Sequence, residues 1–207
     1  MKNRLLMNLL LLFTVANLAT NSIFAADNYP FSVGASVLGK FGVNAAEVPQ
    51  GTQNAISFLN GVDFALVGYM PMSEESKTGL FLELGYTNSP FGLKSTGFPE
   101  VYKVNAKFFT ISPILLMSGF TVGLDFGFGL STDYNFSEYY RPMDNDINVN
   151  LRIGGIIPVY QNRIGALNFI INGTYSITGM QYSDGGFTYH PSSLSFGLNY
   201  LFNMEDW

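Results

Sequence analysis

The chain has no cysteine in 207 residues, a single histidine and a single tryptophan. Without cysteine there is no disulfide framework, so nothing covalent staples the fold. Charge is scarce as well. Asp, Glu, Lys and Arg make up 12% of the residues, about half the roughly 25% usual in a globular chain. Beyond the first 25 residues there is no long apolar run, so no candidate for a membrane-spanning helix, which needs about 20 such residues. Stability must come from a closed hydrogen-bonded architecture or from the surroundings.

What is present begins with MKNRLLMNLLLLFTVANLATNSIFAADNYP. Lys2 and Arg4 form a short basic region, Leu5 to Leu18 is largely apolar, and Ala25 and Ala26 are small. That order predicts a secretory signal peptide over residues 1–25, cleaved after Ala25 despite the bulky Ile23. Residues 26–207 then form one domain. Removing Lys2 and Arg4 leaves 8 basic residues against 15 acidic ones, a net charge of −7. An acidic, aromatic-rich chain lacks the electrostatic footprint of a nucleic-acid binder.

The dominant pattern is a period of two. In Phe120 to Phe136, the even positions read Phe120, Val122, Leu124, Phe126, Phe128, Leu130, Thr132, Tyr134 and Phe136. The odd positions between them are Thr121, Gly123, Asp125, Gly127, Gly129, Ser131, Asp133 and Asn135. Strict alternation predicts a strand with one apolar and one polar face. Seven further segments alternate similarly, starting near Phe31, Phe58, Leu80, Tyr102, Ile147, Leu167 and Leu194. Long connections at 44–56, 88–100, 137–146 and 179–189 alternate with short ones at MSEESKTG, 117–119 and 161–165. Long loops at one end and short turns at the other are the layout of an outer-membrane barrel. The expected fold is all-β: an eight-stranded antiparallel up-and-down transmembrane β-barrel with both termini on the short-turn, periplasmic side.

Three features put the apolar faces outward. The polar faces are mostly Gly, Ser, Asn and Thr, small enough for the narrow interior of an eight-stranded barrel. They carry Lys40, Lys103, Lys107 and Arg152 against Asp63, Glu83, Asp125 and Asp133, and enclosed charges persist only when paired. These eight are expected to form a salt-bridge network in the lumen, with Glu83 opposite Lys107. Finally, Phe31, Phe120, Phe169, Tyr200 and Phe202 at the turn end, and Phe58, Tyr86, Tyr102, Tyr134 and Phe136 at the loop end, suit two interfacial girdles. Porins that conduct use about 16 to 18 strands, so the network reads as a plug.

The last strand holds Ser195-x-Gly197-x-x-Tyr200-x-Phe202, which resembles the C-terminal signal read by the outer-membrane assembly machinery. Residues Asn203 to Trp207 follow the final aromatic. The mature chain resembles the small outer-membrane barrels of the OmpX and OmpA-barrel type. Its central FFTISPILLMSGFTVGLDFGFGLS resembles the PorT-like barrel family. The resemblance implies a monomer in contact with outer-membrane lipid and lipopolysaccharide, delivered by periplasmic chaperones and the β-barrel assembly machinery. It implies no activity.

Candidates for chemistry are few. His190 and Ser192 resemble the His-x-Ser pair of outer-membrane lipid A deacylases, with Asp184 or Glu138 as the orienting acid such a pair needs. That makes a deacylase-like enzyme the alternative to a non-enzymatic envelope or surface-interaction role, and a narrow channel the third reading. Asp144-Asn145-Asp146 has oxygen donors of the type calcium favours, without further ligands fixed by spacing. No metal and no cofactor is expected. Tyr139, Tyr140, Tyr182, Phe187 and Tyr189 make the loops aromatic, as binding surfaces often are.

Overall fold

A computed structural model describes residues 31–73, 78–135, 143–144, 146–182 and 186–204. The expected signal peptide, residues 1–25, lies outside the described residues. The elements in chain order are β1 (Ser32–Asn44), β2 (Thr52–Ala55), β3 (Ser57–Ser73), β4 (Thr78–Ser95), β5 (Val101–Met117), β6 (Phe120–Tyr134), β7 (Met143–Asp144), β8 (Ile147–Gln161), β9 (Gly165–Ser176), β10 (Met180–Tyr182), β11 (Thr188–Tyr189) and β12 (Pro191–Asn203).

Eight of these are long, and each long strand pairs antiparallel with two others. The order runs β1, β3, β4, β5, β6, β8, β9, β12, and β12 pairs with β1 again. The eight strands therefore form a ring. Their alternation sets which side chains face in. Along β8, Asn148, Arg152 and Ile156 are buried, while Ile147, Leu151 and Val159 are exposed. Tight connections match the short turns of the sequence. At Ser118 and Gly119 φ is 50° and 87°, the left-handed pair that a two-residue hairpin requires. After β8, Asn162 Oδ1 accepts the backbone N–H groups of Ile164 and Gly165 at 3.0 Å each, a side-chain substitute for a backbone turn.

The loop end departs from expectation. Residues 88–100 are not a long loop: β4 and β5 stay paired up to Lys94 and Val101. The extension is held by apolar side chains. Phe91, Leu93, Val104, Ala106 and Phe108 are buried together with Met180 and Tyr189. Residues 44–56 likewise contain β2, which pairs with the end of β4. Strand β6 carries a bulge where Lys107 pairs with Ser131 but Phe108 pairs with Gly129. One extra residue inverts every face beyond it, so the alternation read through Phe136 breaks at Leu130. Tyr134 and Tyr102 pack against the buried cluster rather than joining an outer girdle. Phe136 lies outside the described residues.

The interior is layered rather than uniformly small and polar. At the turn end, Leu38, Val67, Tyr69, Phe81, Ile114, Leu116, Ile156, Ala166, Ile170 and Leu201 form an apolar plug. Charged and amide side chains occupy the middle, and the second apolar cluster fills the loop end.

Candidate functional site

The middle layer is the most unusual chemistry in the molecule: five ionised side chains, each no more than 7% exposed. Each is placed by alternation on a different strand: Lys40 on β1, Asp63 on β3, Glu83 on β4, Asp125 on β6 and Arg152 on β8. They form two groups. Arg152 Nη1 lies 2.5 Å from Glu83 Oε2, and its Nη2 lies 2.9 Å from Asp125 Oδ1. Its Nε donates to Asp125 Oδ2 at 3.3 Å. The guanidinium fork thus meets Asp125 side-on through Nε and Nη2 while Nη1 reaches Glu83, a planar geometry that a lysine ammonium does not reproduce. In the second group, Lys40 Nζ lies 2.5 Å from Asp63 Oδ2.

The other three residues of the expected network lie elsewhere. At the loop end of β5 the side chains of the buried apolar cluster are Val104, Ala106 and Phe108, so Lys103 and Lys107 fall on the opposite face. The bulge turns Asp133 to that face too. Lys107 Nζ meets Asp133 Oδ2 at 2.5 Å, with the side chains 26% and 58% exposed. Lys107 is not the partner of Glu83; Arg152 is. The physical reason is that β5 needs its apolar side to fill the mouth, and lysines tolerate water.

Asn88 and Asn105 belong to the site and were missed. Above Phe64 and Tyr86, β4 no longer pairs with β3. Asp63 Oδ1 accepts the Asn88 backbone N–H at 2.8 Å, and Lys40 Nζ donates to the Asn88 carbonyl at 2.8 Å. The ion pair takes over the bonds that the strand ladder no longer makes, as buried backbone groups require. The Asn88 side chain donates to the Val62 carbonyl at 2.9 Å and accepts from Asn105 Nδ2 at 3.0 Å. A run of Thr87, Asn88 and Ser89 before a proline read as loop. The alternation Phe91, Leu93 beyond it was the available signal.

Between the ionic layer and the apolar plug lies a cavity of about 10 Å³, bordered by Glu83, Thr121, Arg152 and Asn172. That is about the least space a single water occupies.

His190 is held by its surroundings. Its Nδ1 is 2.8 Å from the Ser176 carbonyl, which can only accept, so Nδ1 carries the proton. Its ring stacks on Tyr175 with centroids 5.9 Å apart and planes 10° apart. Its backbone N–H donates to Asn44 Oδ1 at 2.8 Å. Among the described residues no carboxylate pairs with it; Asp184 and Glu138 lie outside them. Ser192 pairs in register with Tyr175 and Val43. Of the aspartates suggested for calcium, only the Asp146 side chain is described, and it is exposed. Phe187 is exposed and Tyr189 is buried against Phe91, their rings 5.4 Å apart. Tyr139, Tyr140 and the Tyr182 side chain lie outside the described residues.

The closing motif sits at the junction of the first and last strands. Ser195 is buried and faces in, with its hydroxyl 3.4 Å from the Asn172 carbonyl. Tyr200 and Phe202 face out, their rings edge to face at 4.6 Å. A Cβ on Gly197 would run into the Val37 carbonyl of β1. Glycine therefore permits a close approach of β12 to β1 that no other residue allows.

The described residues thus define a ring of eight antiparallel strands with an apolar exterior and an ion-paired interior. A scan against protein-family models and a search of characterised proteins each find no match. Among solved structures, the chain is similar to the outer membrane protein OprG from Pseudomonas aeruginosa, at 10% identity over 86% of this chain and 99% of that one. The TM-score is 0.38, too low a likeness to carry weight beside the strand pairings themselves.

Proposed function

We propose that the protein is an integral β-barrel of the bacterial outer membrane, exported by its N-terminal signal, with a non-enzymatic structural or surface-interaction role. One observation carries this reading: the inversion of ordinary burial. Leu66 is 69% exposed and Phe64 52%, while Arg152 is 5% exposed and Asp125 4%. Scattered exposed apolar residues are normal, but a contiguous apolar exterior around a charged core is not. Hydrocarbon resolves the inversion. In lipid a sheet must satisfy its own backbone groups, and a ring of antiparallel strands does so.

Outer-membrane lipid, including lipopolysaccharide, would then be the constant partner of the outer face. The assembly machinery and periplasmic chaperones would meet the chain before it folds, with Ser195, Gly197, Tyr200 and Phe202 as the recognised stretch. The PorT-like and OmpX-type resemblances support this reading only at the level of architecture. An interior filled by an apolar plug, an ion layer and an apolar mouth favours a plugged barrel over a channel.

Envelope fractionation tests the proposal. The processed chain is expected in the outer-membrane fraction, with electrophoretic mobility that changes on boiling. Recovery as a water-soluble monomer without detergent would overturn it. Lipid A from cells carrying His190→Ala should match that from wild-type cells; loss of a deacylated species would establish the enzyme instead.

A further inference from the structure

On its β4 side the upper part of the β4–β5 hairpin does not continue the wall of the ring, while β5 stays paired with β6 up to Tyr134. Strand β4 leaves β3 above Tyr86 and comes against β1 and β12, two and three places away in the strand order. Pro90 lies so close to β1 that its carbonyl occupies the space a Cβ on Gly42 would need. Phe91 stacks on Tyr189, just ahead of β12. Strand β5 stays in register with β4 throughout, so the hairpin leans across the mouth as one unit. Its inward apolar face, Phe91, Leu93, Val104, Ala106 and Phe108, closes on Met180 and Tyr189.

From these contacts we infer that the upper β4–β5 hairpin is a hinged cover over the interior, with Asn88 as its hinge and the Lys40–Asp63 pair as its pin. At Asn88 the backbone lacks a β3 ladder partner, and side chains hold both of its polar groups. Gly61, at φ 153°, lies where any side chain would strike the Asn88 amide. The pin is therefore built of three strands: β1 supplies Lys40, β3 supplies Asp63 and the glycine, and β4 supplies the hinge. Side-chain bonds of this kind break without unzipping the β3–β4 ladder, so the cover can open together with β2 and the end of β6, which stay paired with it, while the ring below stays closed. Opening would present an apolar mouth above the ionic layer.

Residue-resolved hydrogen exchange on the refolded mature chain tests this. Lys40→Met removes the bond to the Asn88 carbonyl. Amides in 88–95 and 101–106 should then exchange at least about ten-fold faster, from the lost charged hydrogen bond and the unpaired Asp63 carboxylate, while those in 78–86 and 111–117 are accelerated less. Asp63→Asn, nearly isosteric, should give a smaller increase confined to the same segments, and it carries the test if Lys40→Met does not assemble. Equal acceleration above and below Asn88, or no acceleration in either variant, overturns the inference. The comparison is internal to one molecule, so it remains decisive even if the protein proves not to reside in a membrane.

Discussion

Arg152 shows what a single residue does in this molecule. Among the described residues it is the only cation beside Glu83 and Asp125, and all three are buried. Replacing it by methionine strands two carboxylates away from water. Breaking a buried pair in this way costs about 3–5 kcal/mol, which urea unfolding of the refolded protein would register. Combining Arg152→Met with Glu83→Gln and Asp125→Asn should restore most of that loss, because the penalty lies in the orphaned charges. Lys107→Ala is the contrasting case. Its pair with Asp133 is largely exposed, and such pairs contribute less than about 1 kcal/mol. For the same reason, Lys107→Glu should fail to rescue Glu83→Lys. A rescue would return Lys107 to the interior network and contradict the assignment of faces on β5.

At the scale of elements, β6 tests the register. Its bulge at Leu130 places Ser131 and Asp133 outward and Thr132 inward, with Tyr134 against the mouth cluster. Single cysteines at 131 and 133 should react readily with a polar, membrane-impermeant thiol reagent, and a cysteine at 132 more slowly. The reverse order would restore unbroken alternation. The junction of β1 and β12 makes a second prediction. Gly197→Val forces a side chain against the Val37 backbone, and overpacking of this kind costs about 1–3 kcal/mol. The yield of unassisted refolding and the unfolding midpoint should both fall, whereas Ser195→Ala, which loses only a 3.4 Å contact, should change neither.

These elements also show what could be read from the residues. Alternation was legible wherever one face of a strand is apolar throughout, as in β8, β9 and β12, and it located Lys40, Asp63, Glu83, Asp125 and Arg152 in the interior. It misled where both faces hold apolar residues or the phase slips. On β5, the outward Phe109 and Ile111 and the inward Phe108 and Ala106 compete, and pattern cannot say which set packs. On β6 a bulge leaves no mark in composition. Asn88 was illegible for another reason: its role depends on a gap between β3 and β4 that only tertiary pairing creates.

The whole molecule turns on which solvent meets the outside. Its interior is filled at three levels, so planar-bilayer recordings of the intact protein should show no steady conductance; a sustained open level would require a path through the ionic layer. The most direct measurement uses nitroxide labels placed singly from Phe64 to Met70 on β3 in the refolded protein in lipid vesicles. Collision with oxygen, which concentrates in hydrocarbon, should peak at 64, 66, 68 and 70 and fall at 65, 67 and 69, while a polar nickel complex finds none of them. Strong collision with the nickel complex at 64 and 66 would place the apolar face in water and contradict the account.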